Sequence, residues 1–172
     1  MENNKAFTSK LDFLARSLIT GCGVSEAYDT ALGGTLPAVL QYEAIWDTGA
    51  TGTVITAKVA NDLGLKPTGI VTSNHAGGSD QVNTYLVNVY LPNKICVVGV
   101  QVTEAKLSGN TEMLIGMDII SLGDFSVTNY QGKTCFTFRI PSIKTIDYCE
   151  ENEKNKRPSF LKPSGSYKGR RK

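Results

Sequence analysis

The apolar run Ala44-Ile45-Trp46 ends in Asp47-Thr48-Gly49-Ala50, and this junction constrains the chain more than any other stretch. A carboxylate at the mouth of a buried strand, followed by a small hydroxyl and a glycine, is half of a two-carboxylate acid–base site. Two carboxyl groups close together cannot both ionise cheaply, so one pKa rises and the other falls. The pair then shares one proton and serves as acid and base at once. The quartet occurs once, so the second carboxylate is expected from another copy of the chain. Thr48 suits a turn whose hydroxyl bonds across to a partner loop. Gly49 lets backbone approach a bound ligand, and Ala50 keeps the neighbouring wall shallow. Taken alone, Asp-Thr-Gly is equally the sequence of an ordinary turn.

A second motif lies downstream. Met113-Leu114-Ile115-Gly116-Met117-Asp118-Ile119-Ile120 is an apolar strand, a glycine and another apolar stretch. Together, the order and separation of the two motifs resemble the retropepsin family, the homodimeric aspartic proteases of retroviral type, over roughly residues 35–140. In that family the catalytic strand, here Glu43 to Ala50, continues through Thr51-Gly52-Thr53-Val54-Ile55. The motif here read as Leu114-Ile115-Gly116 threads behind the catalytic loop. The resemblance implies an all-β fold: a closed β-barrel with a flap hairpin and one or two short helices, acting as a homodimer. It implies an endopeptidase in which Asp47 from each chain forms the dyad, with Thr48 and Gly49 supporting the loop. Substrate would bind as an extended strand against Ile45, Gly49, Ala50, Val54, Gly77, Gly78 and Leu114, without metal or organic cofactor.

Two departures are informative. Retroviral enzymes place an acid where Thr51 stands and an arginine where Met117 stands, and the two form an ion pair. Both are missing here, a coherent loss because either alone would leave a charge unpaired. Gly116-Met117-Asp118 and the insertion Thr56 to Leu65 look more like cellular and bacterial members. In the insertion Thr56 can cap a short helix, Val59, Ala60 and Leu63 share a face, and Gly64 ends it before Pro67. Asp118 is a second carboxylate in an apolar setting. The comparison places it behind the site, capping the turn after Gly116.

At 172 residues the chain has room for one such unit and a tail. Asp29-Thr30-Ala31 is a near-copy without the glycine or the buried strand, and reads as a turn. A hydrophobic content of 41% is ample for a core. No run approaches the ~18 apolar residues of a membrane span. Asp12 and Arg16 interrupt the N-terminal stretch Leu11 to Ile19, so no secretory signal is read and a cytoplasmic location is expected. Cys22, Cys96, Cys135 and Cys149 are scattered, without a Cys-x-x-Cys pair, and read as free thiols.

Along the chain the pattern is mostly β. Ser17 to Ile19 and Val24 to Tyr28 read as strands around Gly21-Cys22-Gly23, and Val39 to Trp46 leads into the Asp47 turn. Ile70 to Pro92 reads as a long hairpin with Ala76-Gly77-Gly78-Ser79-Asp80 at its tip. Ile95 to Val102 is another strand, and Phe125 to Asn129 pairs with Thr134 to Ile140 around Gln131-Gly132-Lys133. In the retropepsin reading the hairpin tip is the flap, which closes over substrate. His75, the only histidine, precedes that tip and reads as an exposed loop residue, while Trp46 reads as core or dimer packing. The division is residues 1–34 as an N-terminal segment with edge strands, 35–143 as the protease domain and 144–172 as a charged, mostly flexible tail.

The tail splits the charge. Lys154 to Lys172 holds eight Lys or Arg and no acid, so the net charge of +2 conceals an otherwise acidic body of net −6. Such tails bind polyanions. Alternatives to the peptidase are therefore a non-catalytic peptide-binding or assembly module on the same fold, or polyanion binding through the tail.

Overall fold

Buried and more exposed residues alternate along Lys5–Lys10, Leu40–Trp46 and Cys135–Ile140, and these buried faces belong to two separate sheets. The computed structural model describes residues 4–29, 31, 33, 35–75 and 78–156. Six strands close into a barrel in the order β2 (Leu18–Glu26), β3 (Leu40–Trp46), β8 (Met113–Ile115), β4 (Val54–Ile55), β7 (Ile95–Glu104) and β6 (Gly78–Leu91). Pairing of β2 with β6, from Gly23↔Tyr90 to Glu26↔Val87, completes the ring. Closure removes the free edges that an open sheet would expose. The fold is thus the all-β closed barrel that the motifs imply.

β5 (Gly69–His75) pairs with β6 from Gly69↔Thr84 to His75↔Gly78, while β6 meets β7 only from Thr84 onward. The outer half of this hairpin therefore stands clear of the barrel. Gly77 at its tip lies outside the described residues. β1 (Lys5–Lys10), β10 (Cys135–Ile140) and β9 (Asp124–Thr128) make a second antiparallel sheet in the order β1-β10-β9.

Aromatic side chains join the two sheets. Trp46 is buried and stacks on Phe125 with ring centroids 5.5 Å apart and planes within 7°. Phe7, Phe136 and Phe138 surround it at 5.7, 6.2 and 5.2 Å. Its indole N–H donates to Thr20 Oγ1 at 2.9 Å, so the one polar atom is satisfied. Trp46 is core, and it fixes the strand that ends in Asp47.

Three short α-helices, α1 (Ala57–Asp62), α2 (Met117–Ile120) and α3 (Tyr148–Lys156), and a 3-10 turn at Tyr130–Gly132 lie among the described residues. α1 buries Val59 and Ala60, and Leu63 packs partly against the core. Thr56 occupies the N-cap position of α1, but its hydroxyl donates to Glu112 Oε2 at 2.5 Å and caps no backbone N–H. The expected pair of strands around Gly21-Cys22-Gly23 is one continuous strand, β2. The four cysteines are free thiols, and burial pushes that of Cys22 up to about 12. No helix among the described residues is long and apolar enough to cross a membrane.

Candidate active site

β3 delivers Asp47 to the end of the barrel. The Asp47 N–H donates to the Ile115 carbonyl at 3.0 Å, which extends the parallel β3–β8 pairing one residue beyond Trp46↔Ile115. The chain then turns. Gly49 N–H donates to Asp47 Oδ1 at 2.8 Å and Ala50 N–H to the Asp47 carbonyl at 3.3 Å. A β-carbon at Gly49 would stand 3.1 Å from Asp47 Oδ1, so the glycine leaves room for the carboxylate. Asp47 is half-buried, while Thr48 and Gly49 are exposed.

β8 threads between β3 and β4, parallel to the first and antiparallel to the second. The register sets Ile45, Leu114 and Val54 side by side, Ile45↔Leu114↔Val54. Cross-strand partners share a face. All three are half-exposed, whereas Ala44, Met113 and Ile55 on the opposite face are buried. Three of the residues expected to form apolar pockets therefore make one row beside Asp47.

Gly116 allows the threading. A β-carbon there would meet the Gly52 backbone at 2.5 Å and the Ala50 carbonyl at 3.1 Å. Immediately after it, Met117 N–H donates to the Ala50 carbonyl at 2.8 Å and Asp118 N–H to that of Thr51 at 3.2 Å. Asp118 lies behind this loop. It accepts from the Thr53 N–H at 2.9 Å, the Thr53 hydroxyl at 2.7 Å and the Ile119 N–H at 3.0 Å. Those bonds tie the two motifs together, in line with a structural role.

Asp47 opens onto a pocket bordered by Arg16, Trp46, Thr48, Phe125 and Val127 among others. Arg16, Phe125 and Val127 carried no signal in the sequence, because they are remote along the chain. Only the β2–β3 register and the second sheet bring them to Asp47. Gly78 is described at φ +131°, a conformation open to glycine, whereas the other tip residue, Gly77, is outside the described residues. Asp29 accepts from the Ala31 N–H at 2.9 Å in the local pattern that Asp47 and Gly49 also make. β2 ends three residues before it, at Glu26, whereas β3 runs directly into Asp47. Among the described residues no group of three or more potential metal ligands occurs.

The geometry is that of a carboxylate loop braced by a threaded strand and a glycine. A protein family described as gag-polyprotein putative aspartyl protease matches residues 38–122, a span that contains both the Asp47 loop and Leu114-Ile115-Gly116. Among solved structures, a retropepsin-like aspartic protease from Rickettsia conorii is similar at TM-score 0.52 and 14% identity, covering 80% of this chain and 96% of that one. The retroviral protease-like domain of Ddi1 from Leishmania major gives TM-score 0.44 at 13% identity, covering 78% and 99%. Simian Foamy Virus (mac) protease gives 0.37 at 17%, covering 58% and 89%. No curated protein matches the chain. Over residues 38–122 the chain is similar to that aspartyl protease family, and its fold is that of a retropepsin-like protease.

Proposed function

We propose that the protein is a homodimeric aspartic endopeptidase whose dyad is Asp47 of one copy and Asp47 of a second. The observation that carries this reading is the braced loop: Asp47, fixed at its backbone by Ile115, stands beside the half-exposed row Ile45, Leu114 and Val54. Such a row fits the side chains of an extended peptide, and Gly49 and Ala50 leave its backbone room to approach. The dyad shares one proton. Its ionised oxygen takes a proton from a water held between the carboxyls, and the protonated partner gives one to the scissile carbonyl. Thr48 of each copy braces the opposite loop. The β5–β6 hairpin, with Gly77 and Gly78, acts as the flap that excludes bulk water.

The free edge of β9 supports the dimer. It borders the same pocket as Asp47 through Phe125 and the exposed Val127, and so offers a second copy an unpaired strand beside the Asp47 loop.

The test is cleavage of a peptide library across a range of pH by the native chain and by Asp47→Asn. Asparagine keeps the size but cannot accept the water's proton. We expect a folded, dimeric variant with activity down at least ~10³-fold, roughly 4 kcal/mol of transition-state stabilisation. Native activity should fall at both high and low pH, because only the singly protonated dyad works, and should survive a chelator. Cleavage by Asp47→Asn at the native rate would refute the assignment.

A further inference from the structure

We propose that Arg16 is a specificity-determining residue, selecting substrates that carry a carboxylate side chain close to the scissile bond. The proposal rests on the peptidase reading above and names the substrate class of that site.

Register places the residue. β2 and β3 pair antiparallel from Leu18↔Trp46, and Arg16, two residues before that pair, borders the same pocket as Asp47 and Thr48. The preceding residue is pinned, since Ala15 N–H donates to the hydroxyl of buried Thr134 at 2.9 Å. The backbone of Arg16 is thus held to the body while its side chain is exposed.

Charge gives it a role. Of the residues bordering the pocket only Arg16 and Asp47 are charged. Arg16 forms no ion pair with another described residue, although the chain before its basic tail carries a net charge of −6. An arginine left unpaired in an acidic body, beside the carboxylate that would do the chemistry, has its guanidinium fork open to a ligand. That fork matches a carboxylate with two parallel N–H donors. The apolar border formed by Trp46, Phe125 and Val127 excludes part of the solvent, which strengthens such a pair relative to one on an open surface. In a two-fold dimer there would be two such arginines, one on each side of the dyad, so the preference should appear at two positions placed symmetrically about the cleaved bond.

The experiment uses matched peptides in which Glu or Gln is placed in turn at each of the positions flanking the bond. The reading is the Glu-to-Gln ratio of kcat/KM within one preparation, which does not depend on how much of it is dimeric. The native chain should prefer Glu by about tenfold, with the ratio shrinking as salt is raised. Arg16→Gln should bring the ratio close to one, Arg16→Lys should keep part of it, and Arg16→Glu should turn it below one. A ratio unchanged by Arg16→Gln overturns the proposal. So does a shift of the pH profile that is equal for both peptides, since Arg16 would then act on Asp47 and not on substrate. If the native chain cleaves none of the peptides, the peptidase reading fails separately. Binding of the same labelled peptides to Asp47→Asn, with and without Arg16→Gln, then decides the role of Arg16 by the same ratio taken on Kd.

Discussion

Thr53 holds the two halves of the site together. It is buried, its N–H and hydroxyl both donate to Asp118, and its Oγ1 accepts from the Gly116 N–H at 3.2 Å. Thr53→Val keeps the branched shape and removes the hydroxyl. Gly116 N–H is then left buried without an acceptor and Asp118 loses a donor, which should cost about 1–3 kcal/mol. Denaturant unfolding of the variant measures it, and an unchanged midpoint would show that the Asp47 loop does not depend on this node. Gly116→Ala tests the same place by bulk. Its methyl group would press on Gly52 at 2.5 Å, and we expect a loss of at least ~1–3 kcal/mol together with displacement of the Asp47 loop. Asp118 could be read from sequence as structural because it follows a glycine in an apolar stretch. Its partner could not, since nothing near Thr53 in the chain points to a carboxylate 65 residues away.

Strands joined by a local turn were legible, as were β3 and β8 through the motifs they carry, whereas the extent of β1 and of β2 was not. β5 and β6 are joined at a tip marked by glycines, and β9 and β10 are separated by Gln131-Gly132-Lys133, so local turn chemistry announces both hairpins. β1 has a single buried residue, Phe7, in Lys-Ala-Phe-Thr-Ser-Lys, and its partner β10 begins well over a hundred residues later. β2 was misread because Gly21-Cys22-Gly23 has the composition of a turn. The glycine at 23 instead permits close packing: a β-carbon would lie 2.8 Å from Val39 Cγ1 and 3.2 Å from Tyr90 Cβ. The site divides in the same way. Ile45, Val54 and Leu114 follow from the motifs, whereas Arg16 and Val127 needed the assembled sheets. β9 also carries a prediction about assembly. Val127 is 39% exposed, so Val127→Lys should leave the subunit folded. A lysine on a free strand edge opposes edge-to-edge pairing. The variant should therefore be a monomer by light scattering at tens of micromolar and lose peptidase activity. A dimer of undiminished activity would place the interface elsewhere.

The family match over residues 38–122 covers the barrel from β3 to α2, yet the body it belongs to is larger. β2 closes that barrel from outside the span, and β1, β9 and β10 build the sheet against which Trp46 packs. One carboxylate at the start of β9 gathers the chain that follows β10. Asp124 pairs with Arg139, accepts the Ser142 hydroxyl at 2.5 Å, and accepts the N–H groups of Ile143 and Lys144 at 3.1 and 3.2 Å. After Pro141, every described residue up to Lys154 is exposed, and α3 offers no apolar face to bury. A chain ending at Lys144 should therefore unfold like the full one, whereas a chain ending at Pro141 takes three donors away from Asp124 and should be less stable. Acid separates the two. The hydroxyl of Ser142 and the guanidinium of Arg139, followed by the Ile143 N–H, hold the Asp124 carboxyl well below the usual carboxylate range. A depressed folded value stabilises the native state at pH above the unfolded value of about 4, and that contribution is lost as pH falls through the folded one. Asp124→Asn and the chain ending at Pro141 should thus both show a lower Tm than the full chain near neutrality, and the gap should narrow as the pH is taken from 4 toward 2. The chain ending at Lys144 should follow the full chain throughout. If it instead follows the chain ending at Pro141, the segment beyond Lys144 helps hold the body together, and the Asp124 clamp is not where the folded unit ends.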